Sequence, residues 1–450
     1  MRIFLVVFLI AAVVLIPSGV AVKGYLGSQP KLRYEYSTST QQNMPAYPNA
    51  RFAVISDTHY YDTSLGTTGA AFEVCMNSDR KLLADSADLL SFAVGKILKS
   101  GVQFVLVTGD LTKDGELICH EGVAKQLSRL TAAGIKVYVT PGNHDVDNPG
   151  AFRYSGSKKI SVANVTPAKF EQIYYNDGYM DAIMRDSGTL SYVAEPVKGL
   201  WLISLDTCRY AENRPGGVAA PGGRVTQSEQ NWLEGVLKKA NAEGKAVMVM
   251  EHHGLVEHCA GQAKLHPDYL LPDYRYESGL LASYGVRLAF TGHYHAQDIT
   301  LADFKDGGYI YDIETGSLIT PPCALRSCTI SDNRITVRSE DLVGELHPGT
   351  DFAKKALAFE TDVLETQTAK VLRKYFVPES DASYIAKYIA LAFEAHYSGD
   401  ENPAKRPAFD ESRLSFWGRV AFSVEKYVPQ GLWSDLPPAD NNVTLDLSKK

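Results

Sequence analysis

Five short polar segments, each placed directly behind an apolar run, constrain this chain more than any other feature. They are Asp57-Thr58-His59, Gly109-Asp110, Gly142-Asn143-His144-Asp145, His252-His253 and Gly292-His293-Tyr294-His295. The runs in front of them (Phe52–Ser56, Phe104–Thr108, Lys136–Thr140, Ala246–Met250 and Val286–Thr291) read as strands. Leu82–Leu98, Glu116–Ala133 and Gln227–Ala242 carry helical periodicity between them. Such alternation predicts a layered α/β architecture, in which strand ends feed loops into a shared crevice. Five polar segments at five such ends can meet in one place. Leu190–Val193, Leu200–Leu205 and Tyr309–Ile313 read as further strands, and a short helix is expected around Lys169–Tyr175.

The residue types say what such a meeting would do. Residues i and i+2 of an extended chain face one side, so Asp57 with His59, and His293 with His295, can share a site. Glycine before Asp110, Asn143 and His293 permits a tight turn and close backbone approach. Carboxylates, an amide oxygen and imidazoles together suit borderline divalent metals such as Zn, Mn or Fe. No Cys-x-x-Cys spacing occurs, which argues against thiolate zinc. Any one segment alone reads as a turn or cap; the ordered set of five is specific.

The set D-x-H, G-D, G-N-H-[DE], a lone H and G-H-x-H resembles the calcineurin-like metallophosphoesterase superfamily across residues 51–345. The resemblance implies a four-layer αββα sandwich, two packed mixed β-sheets flanked by helices. It implies that Asp57, His59 and His295 hold one metal, that Asn143, His252 and His293 hold a second, and that Asp110 bridges both. Asn143 and His144 would also meet the substrate, with His144 as the acid that protonates the leaving group. A water bridging two metal ions would lose its proton near neutral pH and act as nucleophile, so no Ser or Cys nucleophile is needed. In this superfamily the lone histidine is commonly followed, one residue later, by Pro; here the stretch is Glu251-His252-His253-Gly254. Aligning Gly254 with that Pro makes His252 the ligand and His253 the alternative.

The chain divides into four parts. Arg2 and the apolar stretch to Val22, broken by Pro17-Ser18-Gly19, read as a signal peptide or an uncleaved membrane anchor, which places the rest outside the cytoplasm, extracellular or periplasmic. Residues 23–50 read as a linker, 51–345 as the catalytic domain and 346–450 as a smaller all-helical C-terminal domain. In that last part Phe352–Thr366, Gln367–Tyr375, Ser380–Tyr397 and Glu411–Tyr427 read as helices, and the spaced Tyr384, Tyr388, Phe393 and Tyr397 as packing residues. This tail resembles that of bacterial class III cyclic nucleotide phosphodiesterases. The resemblance therefore implies a small phosphoester substrate, a cyclic nucleotide ahead of a broad phosphomonoesterase or nucleotidase substrate. Membrane contact is expected only through the N-terminal segment. A non-catalytic metal-binding scaffold is disfavoured because every expected ligand and His144 are present.

Remaining features bear less weight. Acidic residues outnumber basic ones, 52 to 45, for a formal charge of −7, which argues against long nucleic acid as a partner. Of six cysteines, Cys323 and Cys328 are the expected disulfide pair in an exported chain. Asp145 is expected to support its loop, and Asp206 to face substrate or form a turn. Arg214 and Arg224 read as solvated loop charges, and His120, His258 and His266 as surface or loop histidines.

Overall fold

The computed structural model describes residues 45–305 and 307–448, together with the backbone of residues 33 and 34. The expected signal or anchor, and all but the last residues of the expected linker, lie outside this range. Among the described residues no helix is long and apolar enough to cross a membrane.

Along the chain, β1 (Arg33–Tyr34) and β2 (Ala50–Ile55) lead to α1 (Ala70–Met76), α2 (Ser86–Ser100), β3 (Phe104–Thr108), α3 (Leu117–Ala132) and β4 (Lys136–Thr140). A hairpin of β5 (Phe152–Ser155) and β6 (Lys158–Ser161), then α4 (Pro167–Ile173), fill the connection to β7 (Ala182–Arg185), β8 (Tyr192–Val197) and β9 (Leu200–Ser204). Next come α5 (Gln227–Ala242), β10 (Ala246–Met250), α6 (Gln262–Leu265), α7 (Tyr274–Ser283) and β11 (Leu288–Thr291). After these come β12 (Asp298–Phe304), β13 (Tyr309–Glu314), β14 (Ala324–Ser331) and β15 (Arg334–Asp341). The last stretch holds α8 (Phe352–Lys374), α9 (Glu379–Ser398), α10 (Phe416–Glu425), α11 (Tyr427–Leu432) and β16 (Asn442–Asp446).

The strands form two mixed sheets, ordered β16-β15-β14-β2-β3-β4 and β1-β12-β13-β11-β10-β9-β8-β7. Strands β2, β3 and β4 run parallel in the first, and β9, β10, β11 and β13 in the second. Every residue of β3, β9, β10 and β11 is buried, because each sheet is covered on both faces. On α2, Leu89, Leu90, Ala93, Val94 and Ile97 make one apolar stripe toward the first sheet, and Gly101, at φ 69°, ends the helix in the left-handed cap that glycine accepts. On the far side, Leu233, Val236 and Leu237 of α5 join Val247 and Val249 of β10 in a second core. The result is the expected four layers.

Where the sheets face each other, the Phe52 ring stacks on Phe104 at 4.8 Å and meets Phe290 edge-on at 5.4 Å. Polar stitches also cross the gap: Tyr192 Oη donates to the Val139 carbonyl (2.9 Å) and Tyr47 Oη to the Val247 carbonyl (2.6 Å).

The structure departs from the sequence reading in several places. Phe352–Lys374 is one continuous helix rather than two. The helix expected from Glu411 starts instead at Phe416, where the Ser415 hydroxyl accepts from the Gly418 amide as a cap. The helical region runs to Leu432, and the chain then returns to the first sheet as β16, paired antiparallel with β15. Leu364, Leu372, Ile385 and Phe393 of the helical region share a core with Tyr294 and Ala296 of the preceding region. All six cysteines are free. Cys323 and Cys328 cannot bridge, since strand β14 separates them by roughly 15 Å at ~3.3 Å per residue, against a Cα limit of about 7 Å.

Phe52 packs against two other aromatic rings, one from each sheet. Phe52→Ala is expected to destabilise the protein by about 3–5 kcal/mol, read as a lower denaturation midpoint at unchanged slope in urea.

Candidate metal centre

The five polar segments leave the carboxyl ends of β2, β3, β4, β10 and β11. The first three strands are neighbours in one sheet and the last two in the other, so the segments meet where the two sheet edges abut. The backbone does this in an unexpected way. Asp57, His59, Asp110, His293 and His295 all have positive φ, between 34° and 73°. The pairs Asp57/His59 and His293/His295 converge through left-handed turns, not through the alternation of an extended strand. Non-glycine residues adopt that region only when their surroundings hold them there. Here the Asp57 amide donates to the Gly109 carbonyl (3.1 Å) and the His59 amide to that of Asp110 (2.9 Å). Asp57 Oδ2 accepts from the His293 amide (3.0 Å) and the Ser56 hydroxyl (2.5 Å).

The donor atoms form two adjoining groups. In one, His59 Nε2 stands 3.7 Å from Asp57 Oδ1 and 3.3 Å from His295 Nε2, which is itself 3.4 Å from Asp57 Oδ1. In the other, His252 Nε2 lies 3.2 Å from Asn143 Oδ1 and 3.4 Å from Asp110 Oδ2, with His293 completing the set. Asp110 Oδ2 is also 3.5 Å from His59 Nε2, so one carboxylate oxygen belongs to both groups. Donors bound at about 2.1 Å to a single ion stand roughly 3.0–3.4 Å apart; these separations fit one metal per group, sharing Asp110.

Partners on the outer ring nitrogens set which atom faces inward. His252 Nδ1 lies 2.8 Å from the Thr108 carbonyl and His295 Nδ1 3.1 Å from the Thr320 hydroxyl. His293 is held the other way round, with Nε2 3.1 Å from the Asp268 carbonyl. Each outward contact turns the ring's other nitrogen toward the centre, where a cation could take the place of a proton. Asp57 Oδ1 is buried without a hydrogen-bond partner, as a ligand oxygen would be.

Electrostatics prepare the centre for cations. Burial and neighbouring charges hold His59 and His293 well below the ordinary imidazole pKa, leaving them neutral. Burial would raise the Asp110 carboxyl, but His252 and His144 outweigh it and keep the group ionised. His253 is turned away: its Nδ1 meets the Thr207 hydroxyl (2.7 Å) and its Nε2 the Pro221 carbonyl (3.0 Å). Of the two histidines, His252 is the one whose ring joins the donor group.

His144 differs from the other members in keeping 28% of its side chain exposed, at the rim of the centre. Its amide donates to Asp110 Oδ1 (2.8 Å). Its Nδ1 is tied to the Lys113 carbonyl (2.6 Å) and Asp114 Oδ1 (2.9 Å), leaving Nε2 3.9 Å from Asp110 Oδ2. Asp114 is itself ion-paired with the buried Lys113. Burial would depress the His144 pKa, but Asp110 and Asp114 raise it above the ordinary value. Asp114 escaped the sequence reading although it lies four residues past Asp110 in the same loop.

Other polar residues take structural places. Asp145 accepts from the amides of Leu111 (3.0 Å), Thr112 (2.9 Å) and Gly142 (2.8 Å), pinning two site loops together. Asp206 accepts from the Leu190 amide and the Tyr210 hydroxyl, and so serves a turn. Arg224 pairs with Glu212 (3.0 Å), and Arg214 donates to the carbonyls of Ala211 and Asn213. The reading of His120 and His258 as surface residues is corrected: both are fully buried. His120 bridges the Tyr174 hydroxyl and the Asp145 carbonyl, each at 2.9 Å, and so underpins the His144 loop. Lys81, unremarked in sequence, lies close enough for its ammonium to depress His59, His144 and His295. Beside it, Arg80 packs its guanidinium over the rings of Phe393 and Tyr397 from α9.

The sequence profile of the calcineurin-like phosphoesterase family matches residues 50–297, more than half of the chain. No curated protein matches it. Among solved structures, a dimetal phosphatase from Danio rerio is 17% identical, with a TM-score of 0.45 over 66% of this chain and 96% of that one. A purple acid phosphatase from yellow lupin (Lupinus luteus) seeds is 13% identical, with a TM-score of 0.38 over 65% of this chain and 52% of that one.

Two outcomes follow from this geometry. Asp110→Ala removes the oxygen common to both groups, and is expected to abolish turnover together with retention of the two ions of this centre, by activity assay and elemental analysis. Wild-type activity in that variant would refute the shared-ligand assignment. At Gly292 a Cβ would collide with Ser56 Oγ and Asp57 Oδ2. Gly292→Ala should therefore displace Asp57 and weaken metal binding by about 10–100-fold, measured by competition with a chelator.

Proposed function

From its membership of the calcineurin-like phosphoesterase family, to which this chain belongs, we propose that it is a phosphodiesterase acting on a small cyclic nucleotide. That it is a metallophosphoesterase holding two metal ions follows from the family and the paired donor groups. Mn, Fe and Zn are the ions this donor chemistry favours. When bound, such a pair supplies Lewis-acid stabilisation of the phosphoryl charge and acidifies water for attack.

The chain's own residues supply the rest. The observation that carries the reading is the posture of His144. Its Nδ1 is fixed by Lys113 and Asp114, and its Nε2 is turned toward the centre at the exposed rim. A proton held there is placed for the departing oxygen. Such an acid is most useful when the leaving group is a sugar alkoxide, which departs poorly unprotonated, as in cyclic phosphodiester opening. Asn143, beside His144 and 7% exposed, is placed to orient a phosphoryl oxygen. The ammonium of Lys81 adds positive charge on the same side. Tyr269, half-buried with its ring 4.8 Å from that of His293, offers an aromatic surface for a base.

His144→Ala is expected to keep both metals and lose about 10²–10⁴-fold in kcat on alkyl phosphoesters. The loss on p-nitrophenyl esters should be far smaller, since that leaving group needs little protonation; equal losses would remove His144 from the acid role. The substrate is tested by assaying the full chain with Mn²⁺ on 2′,3′-cyclic AMP, 3′,5′-cyclic AMP, AMP and bis-p-nitrophenyl phosphate. Opening of a cyclic nucleotide without phosphate release from AMP is the expected result. Phosphate release from AMP, with cyclic substrates intact, would make the protein a phosphomonoesterase instead.

A further inference from the structure

A second buried set of metal-competent side chains lies outside the catalytic centre, where the helical region meets the second sheet. Asp298 opens β12, three residues beyond His295. His396 sits in the last turn of α9, and Glu401 follows in the next loop. One nitrogen of His396 and one oxygen each of Asp298 and Glu401 lie within 4.8 Å of one another. Asp298 and His396 are 0% exposed and Glu401 is 4% exposed.

Each of the three uses one polar atom within the protein and leaves another unpartnered. Asp298 Oδ1 meets His258 Nδ1 (2.8 Å) and accepts from the Thr300 hydroxyl (2.9 Å). His396 Nδ1 contacts Glu401 Oε1. Asp298 Oδ2, His396 Nε2 and Glu401 Oε2 are buried with no hydrogen-bond partner. Folded proteins pair nearly all buried polar atoms, and buried carboxylates are paired or bind metals. Each of these three neighbouring side chains therefore keeps a buried atom able to take a further ligand.

The surrounding charge points the same way. Asp400, Asp435 and Asp440 form an adjoining, more exposed acidic group. Among the described residues the carboxylate of Asp440 accepts from the amides of Ile299 and Asp400 alone. Two cationic groups face the cluster. His258 is shared among Asp298, Asp312 (3.1 Å) and Glu314 (3.5 Å). The buried Arg326 donates to the carbonyls of Asp440, Asp298 and Glu314 and to the Ser339 hydroxyl, and not to a carboxylate. Carboxyl groups thus outnumber the cationic side chains beside them, and burial with mutual repulsion pushes the Glu401, Asp435 and Asp440 carboxyls above their ordinary pKa, a strain that a bound cation would relieve.

We propose that Asp298, His396 and Glu401 bind a further divalent metal ion, a structural one that clasps the helical region to the catalytic sheet. An imidazole with two carboxylates is a donor set for a borderline ion such as Zn²⁺ or Mn²⁺. Its ligands come from a strand, a helix end and a loop, with about a hundred residues between the first and the others. Binding the ion therefore also holds α9 against the segment that carries His293 and His295. This site is independent of the substrate reading.

The test is elemental analysis of the purified full-length chain after loading with Mn²⁺ or with Zn²⁺ alone. The expected ratios are near three ions per chain for the wild type, near two for Glu401→Gln, and near one for Asp110→Ala. A wild-type ratio near two that Glu401→Gln leaves unchanged would overturn the proposal, as would Asp110→Ala retaining none. Loss of only the catalytic ions in Asp110→Ala supports both sites separately. Should Glu401→Gln not fold, anomalous diffraction from wild-type crystals at the Zn edge decides. A peak between Asp298, His396 and Glu401 upholds the site, and peaks confined to the catalytic centre refute it.

Discussion

The contact on which the centre depends is the hydrogen bond from the His293 amide to Asp57 Oδ2. It joins the loop after β2 to the loop after β11, and so ties the edges of two separate sheets. Both residues have left-handed backbones, which an isolated loop would abandon. The sheets prevent this. Each strand end is anchored in a parallel ladder, and backbone bonds such as that from the Asp57 amide to the Gly109 carbonyl hold the turns. The rigidity of two buried sheets is what keeps these strained residues in place.

A layer of supporting contacts extends this logic. Asp145 accepts three backbone amides from two site loops, and His120 holds the Asp145 carbonyl from beneath. Thr108, Thr320 and Asp268 fix the ring orientations of His252, His295 and His293. Lys113 and Asp114 do the same for His144. Glycine is required at Gly142, where a Cβ would collide with Asp110, and at Gly292, where it would collide with Asp57. The inner residues carry the donors; these outer ones decide which way each donor faces.

The helical region is part of this arrangement. Tyr294, between His293 and His295, lies in the same apolar core as Leu372, Ile389 and Phe393, and Arg80 near the site rests on rings from α9. Packing of α8 and α9 therefore bears directly on the loop that supplies His293 and His295.

Much of this was legible in the sequence. Local chemistry determined the strands that end in Thr108, Thr140 and Met250, the helix Gln227–Ala242, and the donor residues themselves, because apolar runs and the residues behind them are contiguous in the chain. Strands β14, β15 and β16 were not legible. Arg326 lies buried within one of them, its guanidinium satisfied by carbonyls from distant segments, and such a residue breaks the alternation a reader follows. Nor could the chain alone place Asp114 and Lys81 at the centre, choose His252 over His253 by contact, or bury His120 and His258. Those outcomes depend on which loops face each other across the junction of two sheets. The sequence by itself determined which residues are candidate metal ligands, because residue type and spacing are local properties. Only the tertiary structure decided their orientation, their charge states and the grouping of Asp298 with His396 and Glu401, because these arise from contacts between residues far apart in the chain.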